Sequence, residues 1–180
     1  MMPSPYDDDF RFFPYPAEHS NSRTNNGGIN LVQEPHRINE ITEAVRFPEL
    51  RALLVEVNGE GSPFMTLGCA AATEKQSFLG YIEFSVRPEY AENSSHLLNL
   101  DSQFAALMKQ VGSPETDWEN YCDLTLKWES AVFAFRETPD VTQHKVTVWY
   151  KFNNLQEAAT FISAFHVFLI DYANISDSEP

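Results

Sequence analysis

"HKVTVWYKF", His144 to Phe152, alternates strictly: Val146, Val148, Tyr150 and Phe152 share one side, and Thr147, Trp149 and Lys151 share the other. A period of two marks a β-strand with one face buried. The period changes at once in "NNLQEAATFISAFHVFLIDYA", residues 153 to 173. There an asparagine stands in a capping position, Glu157 follows at capping-box spacing, and apolar residues cover more than half of a helical circumference. A strand that turns directly into a broad apolar helix fixes the class as a sheet with a helix packed on it.

Toward the N-terminus the same signals recur. In "YCDLTLKWESAVFAFRE" (121–137), Cys122, Leu124, Leu126 and Trp128 alternate with Asp123, Thr125, Lys127 and Glu129. The alternation slips between Ser130 and Phe135, which predicts a bulge or bend there. "NLDSQFAALMKQVGSP" (99–114) predicts an amphipathic helix, with an Asn99 or Asp101 cap, a stripe of Phe104, Leu107, Met108 and Val111, and Gly112 with Pro114 as the stop. "SFLGYIEFSVRP" (77–88) sets Ile82, Phe84 and Val86 against Tyr81, Glu83, Ser85 and Arg87, a half-buried strand. "RALLVEVNGEGSPFMTLGCAAAT" (51–73) predicts two further strands around Asn58-Gly59. "PHRINEITEAVRFP" (35–48) predicts a short helix that Pro48 stops.

The expected order is α-β-β-β-α-β-β-α: an α+β domain over 35–176 with a roughly five-stranded antiparallel sheet and helices on one face. Residues 177–180 form a short acidic end. Before it, residues 1–34 are rich in Pro, Ser, Asn and Gly with no clear period, which predicts a polar tail. At the level of element order, the domain resembles the small acidic class I chaperones of type III secretion. The resemblance implies a dimer that holds an extended segment of cargo, and no residue of that family is carried over.

The chain has 180 residues, 43% of them hydrophobic, enough for one domain with a substantial core. Twelve basic against 26 acidic residues leave a net charge of -14. Five acidic and two basic residues put -3 on the first 34 positions and -11 on the remainder, so the folded part is itself acidic. That balance repels phosphate backbones and anionic headgroups, which argues against direct nucleic-acid or membrane binding. The partners it suits are cationic or neutral.

The opening "MMPSPYDDDF" lacks a basic region followed by an apolar run, and "FISAFHVFLI" (161–170) is about half of the ~20 residues a spanning helix requires. Cys69 and Cys122 lie far apart without redox or zinc spacing, and read as buried free thiols. Together these features predict a cytoplasmic protein, in which the sequons at Asn93 and Asn174 carry no meaning.

No residue pattern assigns a catalytic group, a metal site or a cofactor. His166 lies at helical spacing from Ile162 and Leu169 and reads as a hydrogen-bonded core histidine rather than a proton-transfer group. His96, beside Ser94 and Ser95, has adjacency in sequence without the spatial arrangement of a nucleophile and base. Glu56 and Glu83, both predicted on strands, read as the solvent side of a sheet rather than a carboxylate pair. "NNGG" and "NGEG" are turns without the lysine of a phosphate loop.

The candidate binding residues are aromatic. Trp149 stands opposite the apolar side of its strand, Tyr81 does the same on its own, and after the slip either Phe133 or Phe135 must also point away from the main core. Such a face predicts an interface, including a possible homodimer contact. A second cluster lies in "YDDDFRFFPYP" (6–16), where Phe10, Phe12, Phe13 and Tyr15 are too apolar for a solvating tail. The expectation is that Phe10 to Tyr15 packs in extended form near Trp149, on its own domain or a sister subunit. Ser20 to Asn30 would remain a flexible connector, with Asp7, Asp8 and Asp9 at the rim.

The leading functional expectation is a non-enzymatic acidic protein-binding module, a chaperone, immunity protein or inhibitor that occupies a partner surface. One alternative is a small-ligand carrier or enzyme with a pocket between the sheet and the C-terminal helix. The other is a nucleic-acid-mimicking inhibitor whose carboxylates imitate phosphates.

Overall fold

A computed structural model of the chain describes residues 1–5, 10–20, 23–25, 27–75, 77–111 and 117–176, the side chains of 18–20, 23–25, 118–119 and 172–176 excepted. Asp7, Asp8, Asp9 and the end at 177–180 therefore lie outside the described residues. The fold is α+β. Four long strands form the body of one sheet: β5 (Phe64–Glu74), β6 (Ser77–Val86), β7 (Leu126–Phe135) and β8 (Thr138–Phe152). They lie in the order β7-β8-β6-β5 and are antiparallel throughout.

The sheet as a whole is mixed rather than antiparallel, and has six strands rather than about five. Two short strands, β1 (Met2–Pro3) and β2 (Phe12–Phe13), both run parallel along the outer edge of β7. An edge strand presents unpaired N–H and C=O groups, and the N-terminal segment takes them up. Ser4 N–H donates to Ser130, Ala134 N–H to Arg11, and Arg136 N–H to Phe13, all at 2.8–2.9 Å. The expected connector also contains structure, a two-stranded ladder of β3 (Glu18–Ser20) and β4 (Arg23–Asn25).

The first of the three strands expected before the central helix is itself a helix. After a 3-10 turn (Pro35–Glu40) and α1 (Thr42–Arg46), α2 spans Pro48–Val57. Pro48 follows the end of α1 as expected and also opens α2, since proline at a first helical position loses no hydrogen bond. Leu50, Leu53, Leu54 and Val57 then share one buried stripe. Asn58-Gly59 is the end of α2, not a hairpin turn. The Asn58 amide donates to Leu54 O and to Thr66 Oγ1, both at 2.7 Å, and Asn58 Oδ1 accepts from Thr66 N–H, which ties the helix end to β5.

After β6, a 3-10 stretch (Pro88–Asn99) leads into α3 (Leu100–Val111), as the pattern predicts. Cys122 to Thr125, expected in a strand, belong to α4 (Trp118–Thr125), and β7 begins at Leu126. The helix α5 (Leu155–Ser176) follows β8 with the expected reciprocal cap: Glu157 N–H donates to Asn154 Oδ1 at 2.9 Å, and the Asn154 amide donates to Glu157 Oε1 at 2.7 Å.

The main core lies between the sheet and α2, α3 and α5. Phe104 is its hub, with ring centroids 5.4–6.1 Å from Trp128, Phe161, Phe165 and Phe168. Tyr150 reaches past Gly80 to donate to Ala70 O at 3.2 Å. A Cβ at residue 80 would stand 2.0 Å from that carbonyl and 2.5 Å from the phenol oxygen, so the crossing requires glycine.

Candidate binding site

The opposite face of the sheet is built in rows by the strand register. Lys127, Trp149, Tyr81 and Ala70 lie in one row across β7, β8, β6 and β5. Glu129, Thr147, Glu83 and Gly68 form the next, followed by Ala131, Lys145, Ser85 and Met65. On an ordinary half-exposed sheet these polar positions would be wet. Here Glu83, Glu129, Lys145 and Thr147 are all buried, because the N-terminal segment crosses them.

Phe13 (0% exposed) and Tyr15 form a second core with Met65, Leu67, Phe133 and Phe135. Both Phe133 and Phe135 join it, not one of them, and β7 has a register break at Ala134/Phe135, within the stretch where the pattern predicts a bulge. The apparent slip in the sequence is thus a change in which face is covered. Phe13 lies edge-on to Tyr15 and Phe135, at 5.4 and 6.0 Å, while Phe12 points outward and is 37% exposed.

Under this strap lies a hydrogen-bonded charge cluster. Tyr15 donates to Glu83 Oε2 at 2.6 Å, Thr147 donates to Glu83 Oε1 at 3.2 Å, and Lys145 Nζ pairs with Glu83 Oε1 at 3.0 Å. Lys145 also donates to the Tyr15 hydroxyl and to Phe10 O, at 2.9 and 2.8 Å, and lies 4.9 Å from the Tyr15 ring centre. Burial, and secondarily the Glu83 charge, hold the Tyr15 phenol well above the usual tyrosine range. One row away, Trp149 donates to Glu129 Oε2 at 2.8 Å, and Lys127 Nζ reaches Glu129 Oε1 at 2.6 Å. The rings of Trp149 and Tyr81 have centroids 4.8 Å apart.

These groups surround a cavity of about 390 Å³. Its walls include Tyr81, Glu83, Glu129, Lys145, Thr147 and Trp149 from the sheet, Phe10 and Tyr15 from the strap, and Glu40, Ile41 and Glu43 near the β5 edge. The space between sheet and α5, by contrast, is filled by the Phe104 cluster. The cavity therefore lies on the far face from the C-terminal helix.

The candidate residues divide accordingly. The structure brings Trp149 and Tyr81 together at the cavity, and Phe133, Phe135, Phe10 and Phe13 in the strap-covered core. Phe12 stands apart. The chain's own strap covers the Phe133 and Phe135 end of the face to which the pattern assigns a homodimer contact, while Tyr81 and Trp149 are half-buried. Glu56 lies on α2, not on a strand, and pairs with His166 Nε2 at 2.9 Å rather than with Glu83. Glu83 is buried, not solvated. Glu83, Glu129 and Lys145 were hidden in the sequence because alternation tells which side a residue faces, not whether that side is covered; the surplus of aromatics in residues 10–15 is the signal that it is.

Both cysteines are free; Cys122 is buried, whereas Cys69, expected to be buried, is half-buried, and desolvation foremost pushes its thiol up to about 12. Among the described residues no cluster of three or more His, Cys, Asp or Glu is placed to hold a metal, and no helix is long and apolar enough to cross a membrane. Neither family models, curated proteins nor solved structures match this chain.

Proposed function

We propose that the protein is a non-enzymatic acidic protein-binding module, and that it acts by exchanging its N-terminal strap for an extended segment of a partner. The observation that carries this reading is the strap itself. Residues 12–13 add to the β7 edge by backbone pairing while Phe13 and Tyr15 fill side-chain positions at alternate residues, which is how a sheet edge takes an extended peptide. The partner segment is therefore extended, with aromatic or large apolar residues two apart. The net charge of -14 favours basic residues between them.

The test uses a labelled peptide of residues 10–16 in anisotropy titrations. The wild-type chain, with its site filled in cis, should bind weakly. Phe13→Ala in the full chain loosens the strap and should bind the peptide several-fold more tightly, since apparent affinity scales with the fraction of open site. Equal, negligible binding by both chains would overturn the reading.

A small-ligand carrier is the second reading. The cavity of about 390 Å³ is what favours it, being of the size and mixed lining that small-molecule sites have.

A further inference from the structure

We propose that the cavity on the second sheet face is a binding site for an organic monocation with an apolar stem, a primary alkylammonium, held by the Glu129 carboxylate against the Trp149–Tyr81 ring pair. The inference stands apart from strap exchange, because the cavity is present with the strap seated.

Glu129 is 2% exposed, and its Oε2 is fixed by the Trp149 indole N–H at 2.8 Å. Its Oε1 holds an alkylammonium already, that of Lys127 at 2.6 Å. That side chain is 53% exposed, so the pair joins a half-exposed ammonium to a buried carboxylate and is open to water on the lysine side. A cation entering from the cavity would make the same bond and also lay its stem on two aromatic rings, a better environment for an ammonium with a carbon chain.

The lining also excludes the opposite charge. Lys145 is the cavity's ammonium, and its three N–H donors are spent on Glu83, Tyr15 and Phe10 O. An anion would find that cation satisfied and meet Glu43, which has no ion pair among the described residues. Lys127, which is not part of the cavity lining, thus competes for Glu129 from outside it.

The test follows the Trp149 indole N–H in two-dimensional ¹H–¹⁵N NMR while full-length protein is titrated with n-butylammonium, an Ala-Lys-Ala peptide, n-butanol or n-butyrate. Saturable shifts are expected with butylammonium. If the peptide also saturates, the source of the cation is a lysine side chain; if it does not, the site takes free amines. Glu129→Gln keeps volume and an acceptor for the indole and should weaken binding by at least about tenfold. Lys127→Met should tighten it, whereas Lys109→Met, at an exposed position of α3 and with the same charge change, should not. Since Lys127 is half-exposed, that variant stays informative even if Glu129→Gln does not fold. Equal shifts with butanol or butyrate, no saturation, or equal effects of the two lysine variants would overturn the site. Amine binding without peptide exchange would leave it intact and remove the partner reading.

Discussion

Tyr15 links the strap to the sheet through one hydroxyl, which donates to Glu83 and accepts from Lys145. Tyr15→Phe keeps the ring and leaves two buried charges each short of a partner. It should cost about 1–3 kcal/mol in urea denaturation. The same group predicts a pH dependence. Its folded pKa is raised, so its contribution is complete below the ordinary tyrosine range and is lost as pH climbs through that range toward the folded value. Tyr15→Phe should flatten part of that alkaline decline. Cys69 gives an independent check: a thiol pushed up to about 12 is almost wholly protonated at pH 8. Native Cys69 should react with a disulfide reagent roughly a hundredfold or more slower than in the unfolded chain, and a fast native reaction would refute the raised pKa. At this scale Trp149 was legible because an aromatic out of phase with its strand calls for a cover. Glu129 was not, since a glutamate in a polar position is unremarkable until the strap lies over it.

At the scale of elements, long periodic segments were readable and their junctions were not. β6, β8, α3 and α5 each repeat one period long enough to outvote local exceptions. Pro48 and Asn58-Gly59 are ambiguous by nature, because a proline both ends one helix and opens another, and Asn-Gly serves helix ends as well as hairpins. The strap could not be read as strands, since β1 and β2 are two residues each and owe their form to an edge far along the chain. Its energetics should be concentrated in one ring. Phe13→Ala should destabilise by about 3–5 kcal/mol by opening a cavity over Phe133 and Phe135. Phe12→Ala, at a partly exposed position, should cost below about 1 kcal/mol. Thermal melts of the two variants decide it: similar losses would mean the strap does not seat as described.

At the scale of the molecule, the acid excess would govern how the proposed partner arrives. A basic extended segment should associate with a rate that falls about tenfold or more between low and physiological salt, with little change in dissociation. Stopped-flow measurements at several ionic strengths would show it, and a flat dependence would mean that the net charge of -14 serves only solubility.

The strap also has a history within each molecule. Its anchor residues and their receivers are separated by more than a hundred positions, as in Pro14 with Arg136 and Phe10 with Lys145. On the ribosome, Phe10 to Tyr15 leave the exit tunnel long before β7 and β8 exist to receive them, so four aromatic rings wait in solvent while most of the domain is still being made. Three aspartates directly before those rings supply the charge that keeps a waiting apolar segment from meeting its copies on neighbouring nascent chains.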